Sequence, residues 1–543
     1  MAVKDILYQP RTVGLLLLLL FALSLYNLGS WGVIETSEAR YAEISREMLL
    51  SQHWLHPRLL GILHYHKPTA TYIITAFGME LFGFNPFGAR FFLQVSLVLQ
   101  ALLVYLLGQL IFQDRRTAFT ALVIYITTLA VLISARNLTT DSFLTTFELA
   151  AIWAWIKYKK DRKAGWLYFF STLLALAFLT KGPVGLIFPV LVALAYNPPP
   201  AVPRQKSFLP AVTALLLFLL IGGSWYVYLM LQDRQFVDYF LLKHTVQRFV
   251  NPEAFSRSKP WWFYLVLAPV LSLPWSAILL FNIRKIKLLP ASQKRLFLFW
   301  VLIPLIFFSF SGSKLILYIL PLFAGQALFT AGLLPLLEPG TKKMVLRWGT
   351  LYFVVLAVAL LVAPWLPVGV VLPTWAYLLP LLILVFILVI LKSMHGPVIK
   401  LLYVSLVFTL LLLPYSTHLL ERNPGKYKSG SEVAAFLKSK GLSKRPLIVY
   451  DNLLPSLAFH LNRDLVTVYD TNKKLQRETQ FERDDRWQHV YLELQKPGGE
   501  AALQKLLKQN AVLILKEKIP VNRRWMLQGF KQKQEVGEWQ VFY

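Results

Sequence analysis

Not one cysteine occurs in the 543 residues, which excludes a disulfide framework and any thiolate metal site. Charge is also scarce: Asp, Glu, Lys and Arg make up 15% of the chain, against 56% hydrophobic and 14% aromatic residues. A soluble chain needs far more charge to cover its surface, so the composition is that of a membrane protein. No internal repeat and no low-complexity segment is visible, and no small-residue cleavage site follows the first apolar run, which is therefore read as a span and not as a signal peptide.

What the chain has in plenty is long apolar runs. Residues 13–29, 87–112, 207–231, 261–283 and 375–391 are each long enough to cross a hydrocarbon core of about 30 Å. The formal net charge is +28, but its Lys and Arg sit in short loops between the runs. That is positive-inside patterning, and it speaks against nucleic acid as a partner. Placing the tail with Lys4 and Arg11, Arg115–Arg116, and residues 157–163, 204–206, 284–295, 342–347 and 392–400 in the cytoplasm threads about thirteen spans, with the N-terminus inside and the C-terminus outside. Residues 68–83 are too short and, at Glu80, too interrupted to span; they are expected to form a helix on the outer surface.

The outer connections are then residues 30–86, 135–141, 181–182, 232–260 and 311–314. Nearly all the unusual polar residues fall in them, and polar groups at membrane depth are expensive enough to mark a site. Beyond residue 420 the composition changes. Asn423-Pro424-Gly425 breaks the pattern, a capped helical stretch over 431–440 stops at Gly441, and apolar runs at 447–450, 465–469, 490–494 and 511–515 alternate with helical stretches such as 500–509. The expected fold is a polytopic α-helical membrane domain over residues 1–420 with a small soluble α/β domain outside the membrane over 421–543. The latter has no Gly-rich phosphate loop and no nucleophile elbow, so no chemistry is assigned to it.

The first outer loop reads Glu35-Thr36-Ser37-Glu38-Ala39-Arg40-Tyr41-Ala42-Glu43-Ile44-Ser45-Arg46-Glu47-Met48-Leu49. Arg40 and Tyr41 beside two carboxylates are denser in charge than a linker needs, whereas Glu43, Arg46 and Glu47 read as the solvated face of a surface helix. His64-Tyr65-His66-Lys67-Pro68 follows. Further along come Ser134-Ala135-Arg136-Asn137-Leu138-Thr139-Thr140-Asp141, Thr180-Lys181-Gly182-Pro183, His244-Thr245-Val246-Gln247-Arg248-Phe249, and Lys314-Leu315-Ile316-Leu317-Tyr318-Ile319-Leu320-Pro321.

This order of motifs resembles the bacterial 4-amino-4-deoxy-L-arabinose lipid A transferases, of the GT-C superfamily that includes the protein O-mannosyltransferases. The match is specific over residues 30–320: the run from Glu38 to Leu49, Lys67-Pro68 before a surface helix, Thr180-Lys181-Gly182, Gln247-Arg248-Phe249, and Lys314 with Tyr318 and Leu320-Pro321. The resemblance implies a GT-C fold, an undecaprenyl-phosphate-linked sugar donor, lipid A or another outer-face acceptor, a membrane cavity opening outward, and an acidic residue in the first outer loop. It also implies the bacterial inner membrane, with the C-terminal domain periplasmic. Two positions depart from the pattern: the usual Asp of that loop is Ser37, and the usual Glu before Lys67 is His66.

Roles follow from the chemistry. A polyprenyl phosphate leaves readily only if cations meet its departing oxygens in a water-poor site; Arg40, Lys67, Lys181 and Arg248 are the candidates, with Tyr318 as a hydrogen-bond donor. Lys314 reads as a snorkelling lysine. Asp141, Glu38 and Glu35 are the catalytic candidates, binding the sugar or orienting the acceptor, and Glu38 is expected to contribute more than Glu35. Tyr41 and Asn137 are assigned to the substrate. His66 and His244 could share a divalent metal, ordinary hydrogen bonding being the plainer alternative, and no cofactor is required. Two other readings are a protein O-glycosyltransferase, kept alive by Ser37, and a lipid transporter or flippase, disfavoured because the charges sit at span ends and not at the midplane.

Overall fold

A computed structural model describes residues 8–196, 208–239, 259–367, 369–473, 475–476 and 478–543. The chain divides into two compact units. One holds the residues up to Tyr26 with Leu93–Arg136 and Thr140–His418; the other holds Asn27–Phe92, Asn137–Thr139 and Leu419–Tyr543.

The first unit is a helical membrane body around one continuous core of Leu, Ile, Val, Phe and Ala. Among the described residues, seven helices are long and apolar enough to cross a membrane, and three further pairs bent at a short break bring the number of spans to at most ten. The expected thirteen is not reached, in part because the apolar Pro10–Leu25 helix has only 16 residues and the Thr140–Asp161 helix is interrupted by charge.

Local sequence explains the breaks. The run over 207–231 bends by 51° between Leu209–Gly222 and Ser224–Gln232, at a Gly222-Gly223 pair. The run over 261–283, expected as one span, is two helices, Phe263–Leu271 and Trp275–Phe281, turned by 115°. Pro269 and Pro274 lie at this turn, and neither has an N–H to continue a helix. At the turn Ser272 donates to Ala268 O at 2.8 Å and Ser276 to Pro269 O at 2.6 Å.

The second unit combines the first loop with the C-terminal segment. Strands β1 (Arg58–Leu59) and β2 (Ile62–Leu63) form a small antiparallel hairpin. A six-stranded sheet follows from β3 (Leu447–Tyr450), β4 (Val466–Tyr469), β5 (Tyr491–Glu493), β6 (Val512–Leu515), β7 (Lys533–Val536) and β8 (Trp539–Phe542), in the order β5-β4-β3-β6-β8-β7. The first four of these run parallel, and β8 and β7 antiparallel. Strands β3 and β6 are apolar and buried at every position, as central parallel strands covered on both faces must be. Helices Ser431–Ser439, Pro455–Leu461 and Gly499–Leu507 complete the α/β layers. The α/β character is therefore as expected, while the β7–β8 hairpin was not legible as strands.

One expectation is overturned here. Glu43 and Arg46 do not form a solvated face: they are 0% and 1% exposed. Arg46 is held by both oxygens of Glu43 at 2.9 and 2.7 Å, by Asn462 at 3.3 Å and by Asp464 at 3.2 Å. A helix face that periodicity alone assigns to solvent is buried against its own unit, which charge can tolerate only because each group is paired.

Candidate active site

In the membrane unit, Asp141 lies in the first turn of Thr140–Asp161 and Lys181 in the last turn of Ala164–Lys181. The two residues lie almost equally far from the Arg162–Lys163 turn that joins these helices, so antiparallel packing brings them level. A helix N-terminus favours a carboxylate and a C-terminus favours a cation, so each charge sits where its own helix stabilises it. Lys181 Nζ donates to Asp141 Oδ1, and the same ammonium stands 4.0 Å above the centre of the Tyr318 ring. Asp141 is 6% and Lys181 9% exposed. Tyr264 steadies the segment carrying Tyr318: its hydroxyl donates to Leu315 O at 2.7 Å and accepts from Leu315 N at 3.1 Å. Lys314 donates to Ser311 O at 2.5 Å and Lys259 O at 3.0 Å, so it is buried and does not snorkel.

Sequence reasoning missed Glu148. It lies two turns after Asp141 on the same helix, is fully buried, and neither carboxylate oxygen has a hydrogen-bond partner among the described residues. Its signal was available: a carboxylate inside an apolar helix, at a spacing that keeps the face of Asp141.

The other candidates belong to the second unit. Glu38, at the start of the Ser37–Ser51 helix, is 1% exposed and fully engaged. Arg90 meets both its oxygens, and the backbone N–H groups of Ile34 and Leu138 donate to it at 2.8 and 3.3 Å. Arg90, unremarked in the sequence, also donates to the carbonyls of Leu28, Trp31 and Gly32 and lies 4.3 Å from the centre of the Trp31 ring. Half-buried Glu35 accepts from Ser456 N at 2.9 Å. Burial pushes its carboxyl up to about 7, against the opposing pull of that hydrogen bond and of the nearby Arg40 charge.

Arg40, Tyr41, His66, Lys67 and Asn137 are all half-buried in this unit. Tyr41 packs on Tyr72 with ring centres 5.6 Å apart, and His66 stacks on His64. Arg248 and His244 lie outside the described residues. The structure thus joins Asp141, Lys181 and Tyr318 in one constellation, and separately gives Glu38 and Arg90 as a buried knot at the root of the first loop.

Comparison with known proteins bears on what these residues serve. Residues 66–242 match the dolichyl-phosphate-mannose-protein mannosyltransferase family. An undecaprenyl phosphate-alpha-4-amino-4-deoxy-L-arabinose arabinosyl transferase from Pectobacterium carotovorum subsp. carotovorum is 32% identical over 356 residues, 63% of this chain and 62% of the relative. The protein of the same name from Pseudomonas aeruginosa is 34% identical over 323 residues, 58% of each chain. The matched part thus spans about three fifths of the length of these relatives. The crystal structure of ArnT from Cupriavidus metallidurans bound to undecaprenyl phosphate superposes with a TM-score of 0.77, covering 98% of both chains at 20% identity. Along about three fifths of its length this multi-pass membrane chain is similar in sequence to the undecaprenyl-phosphate aminoarabinose transferases, and along nearly all of it the fold is that of the Cupriavidus metallidurans structure.

Proposed function

We propose that the protein is a glycosyltransferase that moves 4-amino-4-deoxy-L-arabinose from undecaprenyl phosphate to lipid A at the periplasmic face of the bacterial inner membrane, its N-terminus cytoplasmic. The names of its relatives support the substrate pair. The observation that carries the chemistry is the Lys181 ammonium, held at a helix end by Asp141 and above Tyr318 in a nearly dry setting.

In this reaction an acceptor oxygen attacks the anomeric carbon, the bond from that carbon to the phosphate oxygen breaks, and its electron pair leaves with undecaprenyl phosphate. The barrier falls if a cation is already in place where that charge develops, because in low dielectric its attraction is not screened by water. Lys181 is assigned that role. On the resemblance, Arg40, Lys67 and Arg248 are assigned to the donor phosphate as well, and Tyr41 and Asn137 to the substrate. Asp141 fixes the ammonium and is the carboxylate assigned to the sugar or the acceptor. A lipid A phosphate is already ionised, so the acceptor then needs positioning and no general base. Glu38, with its oxygens taken by Arg90 and two backbone N–H groups, is assigned to positioning the first loop, which shifts the catalytic weight to Asp141.

The test is transfer by purified protein from labelled undecaprenyl-phosphate aminoarabinose to lipid A in vesicles. Label in lipid A sustains the proposal. Label in a co-supplied Ser/Thr peptide but not in lipid A sinks it in favour of protein glycosylation, the reading that the mannosyltransferase match favours.

A further inference from the structure

The proposed transfer leaves one buried cation without a role. Lys314 is 4% exposed, and two of its three N–H donors are spent on the carbonyls of Ser311 and Lys259. Carbonyl oxygens orient an ammonium but do not neutralise it. Among the described residues Lys314 forms no ion pair, and burial alone acts on its ammonium, pulling it below the ordinary lysine range. It is therefore not a member of the Asp141–Lys181 pair. A buried charge with no counter-charge is costly. Joining the two segments does not account for that cost, because Tyr264 already joins them with neutral groups, through both the N–H and the carbonyl of Leu315.

The surroundings of Lys314 are those of a lipid headgroup. Tyr318, four residues further on, covers Lys181 with its ring, so Lys314 lies at the same end of the membrane unit as that pair. Trp261 and Trp262, just before the Phe263–Leu271 helix, are 59% and 49% exposed. Indoles exposed at the end of a membrane helix sit at headgroup level. Lys259 is exposed beside them, a second cation whose own carbonyl holds Lys314.

We infer that Lys314 and Lys259, flanked by Trp261 and Trp262, bind a phosphate on the headgroup of the acceptor lipid, which is lipid A in the proposed reaction. The phosphate supplies the missing counter-charge and takes the third N–H of Lys314 in a charge-assisted hydrogen bond. Around a covered ammonium that attraction is little screened by water. Two phosphates drawn to one ammonium would compete for it. Separate cations, Lys181 for the donor and Lys314 for the acceptor, let both lipids be held together while the acceptor oxygen is positioned. The inference rests on the proposed reaction for the identity of the lipid, and on the buried, uncompensated charge for the site itself.

Full-length protein in phosphatidylcholine nanodiscs is tested for retention of labelled lipid A, dephosphorylated lipid A and undecaprenyl phosphate, with no transfer required. Wild type is expected to hold lipid A about tenfold or more tighter than the dephosphorylated form, the scale of a lost charge-assisted contact. Lys314→Gln should bring that ratio to within about threefold and leave undecaprenyl-phosphate affinity unchanged, while Lys314→Arg should keep most of it. Comparing two ligands on one variant cancels any loss of folded protein. Lys259→Gln, at an exposed position, should narrow the ratio less, and its effect should fade with salt. A wild type that does not retain lipid A, or retains both forms equally, overturns the inference whether or not the variants fold. So does an unchanged ratio in Lys314→Gln. An equal loss of undecaprenyl phosphate in that variant overturns it by putting Lys314 on the donor side. Displacement of lipid A by equimolar phosphatidylglycerol overturns it in favour of a general anionic-lipid site. Protein that shows the expected ratios and transfers no sugar sinks the proposed reaction and leaves the binding site standing.

Discussion

Arg90 meets Glu38 side by side, Nε donating to Oε1 at 2.8 Å and Nη2 to Oε2 at 2.9 Å, with neither residue more than 1% exposed. Breaking a buried pair strands the surviving charge, at a cost of about 3–5 kcal/mol. Glu38→Gln should therefore lower the melting temperature and the yield of folded protein, and more so than Glu35→Gln. Whatever folded Glu38→Gln remains should turn over at saturating donor at a rate close to wild type. A stable Glu38→Gln protein with no turnover would return Glu38 to the chemistry.

Asp141→Asn should leave folded protein and reduce transfer by roughly a hundredfold or more, the scale of losing one preorganised electrostatic partner. Lys181→Met should do the same. Because the two act as one pair, the double variant should be little worse than either single one. Losses that multiply in the double variant would show that the residues act separately.

Tyr318 separates two roles. The sequence suggested a hydroxyl donor, whereas the structure puts the ring face 4.0 Å from the Lys181 ammonium, an interaction Phe retains and Leu does not. Undecaprenyl-phosphate binding, measured by calorimetry, should survive Tyr318→Phe and weaken several-fold in Tyr318→Leu. Equal losses in both would favour the hydroxyl.

Glu148 should show a trade between stability and activity. A buried carboxyl without a hydrogen-bond partner is costly, so Glu148→Leu is expected to raise the melting temperature. If that cost is kept because the group serves the neighbouring Asp141–Lys181 pair, the same variant should lose transfer activity. A stabilised and fully active variant would make Glu148 a bystander.

Burial, reinforced by the charge of Glu43, pushes Glu47 up to about 8, while an unfolded glutamate titrates near about 4.3. The folded state thus holds this proton more tightly than the unfolded state. Its contribution to stability is complete below the unfolded value and is lost as pH rises towards 8. Melting temperatures taken between pH 5 and 8 should fall less steeply in Glu47→Gln than in wild type. Parallel slopes would contradict the shift.

Much of this protein could be read from one chain of letters. Apolar length and scarce charge set the membrane class, because a hydrocarbon core tests every residue of a span alike. The same locality made the runs of β3 to β6 and the helices after Gly430 legible, and it singled out Asp141, Lys181 and Tyr318 as polar residues at the ends of apolar segments. Proline and glycine pairs were visible too, but whether Pro269 and Pro274 kink a span or fold it back by 115° depends on what packs around them.

Tertiary structure alone decided the partners. Only the fold shows that Arg90 holds both oxygens of Glu38; Arg46 and Glu43 looked solvated until their face was buried; Glu478 carried no signal at all before it stood opposite His64. Spacing along a chain predicts neighbours within a helix or a strand. A charge's role depends on groups that are far away in sequence, because pairing and burial decide together whether it holds the fold or remains available for chemistry.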